Sequence, residues 1–140
     1  MKLAQETLTV STRGRDFHDL TGMVRRIVKK SGVRVGLCTV FVQHTSASLI
    51  IQENADPSVL RDLGRWLAKL APEDASAYEH DAEGPDDMPG HLKASMTRAS
   101  ESIPIADGEL ALGMWQAIYL VEHRTAPHER RIVVYVSGDS

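Results

Sequence analysis

The sequence predicts a single α+β domain with a mostly antiparallel, β-sandwich-like sheet and helices packed on one side. Three observations carry this expectation. β-rich runs occur at both ends and in the middle of the chain; two segments between them repeat their apolar positions at helical spacing; and no internal repeat or linker divides the whole. A chain of 140 residues, 42% of them hydrophobic, is enough for one core and too short for two ordinary ones.

Leu3 to Val10 splits by alternation and contains several β-formers, which predicts a strand with one face buried. Asp16 is then placed to cap a helix carrying Phe17, Leu20, Val24, Ile27 and Val28, with Lys29 and Lys30 near its negative end and Gly32 as its stop. His18 falls near the start of that helix and reads as a solvated surface residue. Val35 to Val42 and Ser48 to Ile51 read as strands separated by the polar cluster Gln43-His44-Thr45-Ser46. Asp56-Pro57 starts a second helix, whose stripe is Val59, Leu60, Leu63, Trp66, Leu67 and Leu70. The acidic, Pro/Gly-rich stretch from Glu73 to Gly90 has too few apolar residues to form core, and a loop of that length in a small domain suits a site better than a linker. A short helix follows from Met88 to about Arg98, with Asp86 or Asp87 as its cap. Ser102–Ile105, an Asp107-Gly108 turn, Leu110–Leu112, Trp115–His123 and Arg131–Val136 complete the strands. In the last of these Ile132, Val134 and Val136 share one face.

The charge balance narrows the partners. A net charge of -3 without a long run of either sign argues against nucleic acid and membrane surfaces, and no apolar stretch reaches the length of a membrane span. The start of the chain lacks the apolar block of a signal peptide, so the expected location is cytoplasmic. Cys38 is the single cysteine and lies in an apolar run, which makes it a buried small hydrophobe.

Of six histidines, His18 and His128 have bland explanations at a helix start and a polar turn, and His123, at a strand end, is open to either reading; none of the three is a strong site candidate. His44, His80 and His91 each lie among other polar groups, and neutral imidazoles are good ligands for Zn²⁺ and related ions. Their spacing alone is equally consistent with three unrelated loop histidines. Glu53, Asp56, Glu83, Asp86 and Asp87 are available as general bases, as partners orienting the imidazoles, or as Mg²⁺ ligands, with capping the simpler role for Asp56. Thr45 and Ser46 suit hydrogen bonding or phosphate contact better than nucleophilic attack, because neighbours in an extended segment point to opposite faces. No glycine-rich dinucleotide or nucleoside-triphosphate loop is present.

Seven ordered blocks together resemble the YjbQ-like family, also described as secondary thiamine-phosphate synthase enzymes. They are His44-Thr45-Ser46-Ala47-Ser48-Leu49, Gln52-Glu53-Asn54-Ala55-Asp56-Pro57, Tyr78-Glu79-His80, Glu83-Gly84-Pro85-Asp86-Asp87-Met88-Pro89, His91-Leu92-Lys93, Ile103-Pro104-Ile105 with Gly108-Glu109-Leu110, and Leu112-Gly113-Met114-Trp115-Gln116. The resemblance implies a homotrimer with a metal and ligand site around His44, His80 and His91 near a subunit interface. It also implies weak thiamine-phosphate synthase activity, joining a pyrimidine methyl diphosphate to a thiazole phosphate with release of pyrophosphate. On that reading Glu83, Asp86, Asp87, Lys93 and Arg124 serve the chemistry, with a divalent ion (Zn or Mg) and Lys93 or Arg124 offsetting pyrophosphate charge. Thr45, Ser46, Glu53, Asn54, Trp115 and Gln116 would hold the ligand, Trp115 by stacking on a heterocycle. Met114 and Arg98 stand where the family commonly has a small hydroxylated residue and a glycine. Two other functions compete: a metal-assisted hydrolase, and a non-enzymatic trimeric module that binds a metal or ligand.

Overall fold

The two ends of the chain form one long antiparallel ladder. In the computed structural model, which describes all 140 residues, β1 (Lys2–Thr12) pairs with β8 (His128–Asp139) from Lys2↔Gly138 to Thr12↔His128. β3 (Val35–Val42) lies along the other side of β8, followed by β5 (Ser100–Ala106) and β6 (Glu109–Leu110), giving the order β1-β8-β3-β5-β6. Asp107 and Gly108 turn β5 into β6 with φ of 51° and 81°, the left-handed pair that a two-residue hairpin of this hand requires. A second sheet has the order β2-β7-β4, from Asp16–Asp19, Gln116–Glu122 and Ala47–Glu53. Every strand pair is antiparallel.

Period two decides which side chains meet between the layers. Cys38, Val40 and Val42 of β3 join Ile132, Val134 and Val136 of β8, facing Ala47, Leu49, Ile118 and Leu120 of the smaller sheet. Val24, Ile27 and Val28 of α1 (Thr21–Ser31) close the same core, and Gly32 ends that helix at φ 74°. On β7 the alternate residues Ala117, Tyr119 and Val121 are buried on the opposite face, where Phe17 meets Tyr119 edge-on. There α2 (Pro57–Leu70) covers Phe17, and a Cβ built on Gly64 would lie 3.7 Å from that ring. All three helices, including α3 (Asp87–Met96), therefore lie on the side of the five-stranded sheet that carries the smaller sheet.

Three expectations need correction. Asp16 does not cap a helix: Asp16–Asp19 is a strand, held by pairing with Tyr119–Glu122, and Asp19 Oδ1 accepts the N–H of Thr21 where the helix begins. His18 is consequently not a solvated helix residue; its Nε2 is buried without a hydrogen-bond partner. On α2, whose Asp56 cap is as expected, only Leu67 of the predicted stripe is buried, while Trp66 and Leu70 remain 55% and 49% exposed.

Candidate metal centre

α3 begins with Asp87 in its first turn, and His91 follows four residues later, so both side chains stand on one helix face. The acidic loop before α3 brings His80 and Glu83 to the same face. The result is a group of four, His80, Glu83, Asp87 and His91, whose ligating atoms all lie within 4.8 Å of one another. Asp87 is at its centre: Oδ2 lies 2.7 Å from His80 Nε2 and 3.2 Å from His91 Nε2, and Glu83 Oε2 lies 3.2 Å from His80 Nε2.

Arg124, just beyond β7, fixes this arrangement from behind. Its Nη1 donates to Asp87 Oδ1 at 2.8 Å, its Nε to Asp86 Oδ2 at 2.9 Å and its Nη2 to the carbonyl of Glu83 at 3.0 Å. Asp86 Oδ2 also accepts from the backbone N–H of Thr125 at 2.8 Å. Burial raises the carboxyl of Asp86, but Thr125 and Arg124 outweigh it and hold its pKa at about 2. Burial likewise opposes ionisation of Asp87, and the hydrogen bond from His80 with the charges of His91 and Arg124 reverses it. The same hydrogen bond to Asp87 raises the pKa of His80.

The donor set fits a divalent cation. His91 Nδ1 lies 3.1 Å from the carbonyl oxygen of Thr45, which can only accept, so Nδ1 carries a proton. In the neutral ring Nε2 then presents a lone pair to a carboxylate oxygen 3.2 Å away, an arrangement that needs a proton or a cation between the two. Two imidazoles with two carboxylates match Zn²⁺ and its transition-metal relatives, whereas Mg²⁺ prefers oxygen alone.

The other expected site residues divide into three sets. His44 is not part of the cluster within this chain: its Nε2 accepts the backbone N–H of Arg131 at 2.8 Å, and burial, with Arg130 nearby, lowers its pKa. The three-histidine grouping is thereby replaced by two histidines and two carboxylates. Thr45 reaches the centre through its carbonyl, while Ser46 is buried and bonds Arg130 Nη2 at 3.1 Å. Arg124 is committed to Asp86 and Asp87 and is not free to offset pyrophosphate; Lys93 lies in a separate cavity with Arg15 and His123. Glu53, Asn54, Trp115 and Gln116 gather at the far end of the smaller sheet. There Glu53 pairs with Gln116 and Asn54 N–H donates to Trp115 O at 2.9 Å. Six residue steps of β4 separate Ala47 from Glu53, roughly 20 Å of strand.

Two buried networks had no distinct signal in the sequence. Glu122 takes Arg130 Nε at 2.7 Å and Nη2 at 2.5 Å, with Thr12 Oγ1 at 2.6 Å, beneath the loop that carries His44. His123 Nε2 meets Ser48 Oγ at 2.8 Å, and burial with Lys93 and Arg130 nearby brings its pKa down to about 4. Glu122 ends β7 while Arg130 belongs to β8 of the other sheet, and Ser48 lies on β4, so the packing of distant strands, not local spacing, brings each pair together.

A two-sheet antiparallel sandwich with a His/carboxylate cluster at one end defines the class. The comparisons define the family. The family model described as UPF0047 protein YjbQ-like matches residues 6–139. A UPF0047 protein of Synechocystis is 53% identical over 135 residues, covering 96% of this chain and 92% of the relative. The UPF0047 protein YjbQ of Escherichia coli O157:H7 is 41% identical, covering 96% of this chain and 98% of its own. Among solved structures, a YbjQ-like protein of unknown function from Sulfolobus solfataricus P2 superposes with a TM-score of 0.90 at 29% identity, covering 99% of both chains. An uncharacterised YjbQ/UPF0047 protein from Clostridium acetobutylicum gives 0.84 at 37% identity, covering 96% of this chain and 99% of that one. The chain belongs to the YjbQ-like UPF0047 family.

Proposed function

We propose that this protein is a metal-dependent enzyme of phosphate-bearing heterocycles, with a divalent ion held by His80, Glu83, Asp87 and His91. The observation that supports this reading most is the convergence of two imidazoles and a fixed carboxylate on one point. A cation bound there supplies electrophilic stabilisation for a diphosphate leaving group. Around it the protein's own groups have separable roles. Asp87 supplies the central carboxylate, Arg124 keeps it ionised and in place, and Thr45 O sets the tautomer of His91. The reaction we assign is the weak joining of a pyrimidine methyl diphosphate to a thiazole phosphate, on the strength of the family resemblance. Its test is product analysis with the two precursors: thiamine phosphate should form with the wild type and fall to background with Asp87→Asn. Absence of product from metal-loaded wild type would end this assignment.

One feature favours a second reaction class. Glu83 has a 64% exposed side chain at the edge of the cluster, within reach of solvent and able to take a proton from an incoming water. A metal-assisted hydrolase, in which His80, Asp87 and His91 hold the ion and Glu83 stands off it as the base, would release inorganic phosphate or pyrophosphate from a single phosphorylated compound, and Glu83→Gln would abolish that release while leaving metal content intact.

A further inference from the structure

Behind α3, a cavity of about 620 Å³ opens between α2, β2 and the end of β7, within the range that holds small ligands. Phe17, Leu60, Leu67 and Val121 make one wall apolar. Lys93 reaches into it from α3. That lysine is only 4% exposed, yet its ammonium takes part in none of the chain's ion pairs or side-chain hydrogen bonds. A lysine held this deep, with no acceptor of its own and its ammonium open only toward the cavity, favours an anion there.

The other charges around the cavity do not relieve it. Asp16 Oδ1 is taken by the N–H of Phe17 at 2.8 Å, and Glu122 is bound by Arg130. Arg15 is paired with Glu73 at 2.7 Å and Arg65 with Asp62 at 2.8 Å, whereas Arg61 also lines the cavity and has no ion pair. Lys93 and Arg61 are thus left without an ion-pair partner, against the single unpaired carboxylate of Asp16. The surplus is cationic, and a phosphate monoester has oxygens enough to accept from both cations at once, where a carboxylate has only two. Lys93 and His91 are two positions apart on the helix and so point to different faces, which separates this cavity from the metal centre.

We propose that this cavity binds the phosphate group of a small phosphorylated compound. Lys93 is the buried cation beneath the phosphate, Arg61 is the cation at its mouth, and the Phe17–Leu60–Val121 wall lies against an apolar ring. The site needs neither the metal nor the reaction assigned above, and it stands or falls separately from them.

Calorimetric titration of the intact chain in chelator, with phenyl phosphate, inorganic phosphate and phenol as parallel probes, tests this directly. Phenyl phosphate should bind saturably, inorganic phosphate more weakly, and phenol not at all. Lys93→Met should cost about tenfold or more in affinity and Arg61→Gln several-fold, while Asp87→Asn leaves binding unchanged. Phenol binding as well as phenyl phosphate would overturn the proposal, as would the absence of saturable binding or equal affinity in a folded Lys93→Met. Inorganic phosphate binding as tightly as phenyl phosphate would overturn the assigned ligand class, and loss of binding in Asp87→Asn would overturn the separation from the metal centre. Should Lys93→Met fail to fold, Arg61→Gln decides the matter, because unchanged affinity in that variant contradicts the proposal.

Discussion

Arg124 divides its guanidinium among Asp86, Asp87 and the carbonyl of Glu83, so one side chain sets both the charge and the position of the cluster. Arg124→Gln should therefore lower metal affinity by about 10- to 100-fold without removing any ligand, measured by competition with a chromogenic chelator. His123 makes a second prediction at this scale. Its folded pKa is about 4 against 6.5 for a free imidazole, so between those values the unfolded chain binds more protons than the folded one. Stability is then unaffected by this group above pH 6.5 and falls as the pH drops from there toward 4, by up to about 3 kcal/mol. Urea midpoints between pH 7.5 and 4.5 should show this slope in the wild type, and His123→Gln should flatten it. The residue scale also shows what sequence spacing conceals. Asp87 and His91 carry a legible helical i,i+4 signal, but searching for histidines alone drew in His44, whose Nε2 the backbone of Arg131 already occupies.

At the scale of elements, α3 is the piece on which both the centre and the cavity depend, and Gly90 sets how closely it approaches. A Cβ there would lie 3.5 Å from Arg124 Cδ and 3.6 Å from both His123 Cβ and Ser46 Cβ, which is ordinary contact with no room beyond it. Gly90→Ala should be neutral or stabilising by up to about 1 kcal/mol through helix propensity, whereas Gly90→Leu should cost about 1–3 kcal/mol and reduce metal content. Chemical denaturation with parallel metal analysis would check both. The long elements were readable because their periods run for several turns or residue pairs: β1, β3, β8, α2 and the Asp107-Gly108 turn sit where alternation, capping and turn chemistry place them. β2 was not, since Phe17 fits a helical stripe and a strand equally well over four residues. Its pairing with Tyr119–Glu122, about a hundred positions later, decides between them.

Across the whole molecule, the outer face of the five-stranded sheet leaves Leu3, Leu37, Phe41 and Tyr135 exposed on neighbouring strands. The homotrimer that the family resemblance implies is a prediction at this scale: analytical ultracentrifugation should give three times the chain mass, and a monomer at micromolar concentration would contradict it. Cys38 reports the core itself. Burial pushes its pKa up to about 11, so a thiol reagent should modify it only at the rate of global unfolding. What the sequence could not show is how loops from distant segments close on one another. The acidic stretch before α3 announced a site by its composition, but its ligands were settled by Arg124, which approaches from the far end of β7.

The central claim is that His80, Glu83, Asp87 and His91, without His44, hold one divalent ion. It is tested most directly by metal content per chain in protein purified without affinity metal or chelator. Wild type and His44→Ala should each carry about one ion per chain, whereas His80→Ala, His91→Ala and Asp87→Asn should carry almost none. Metal-free wild type, or a loss in His44→Ala equal to that in His91→Ala, would contradict the account.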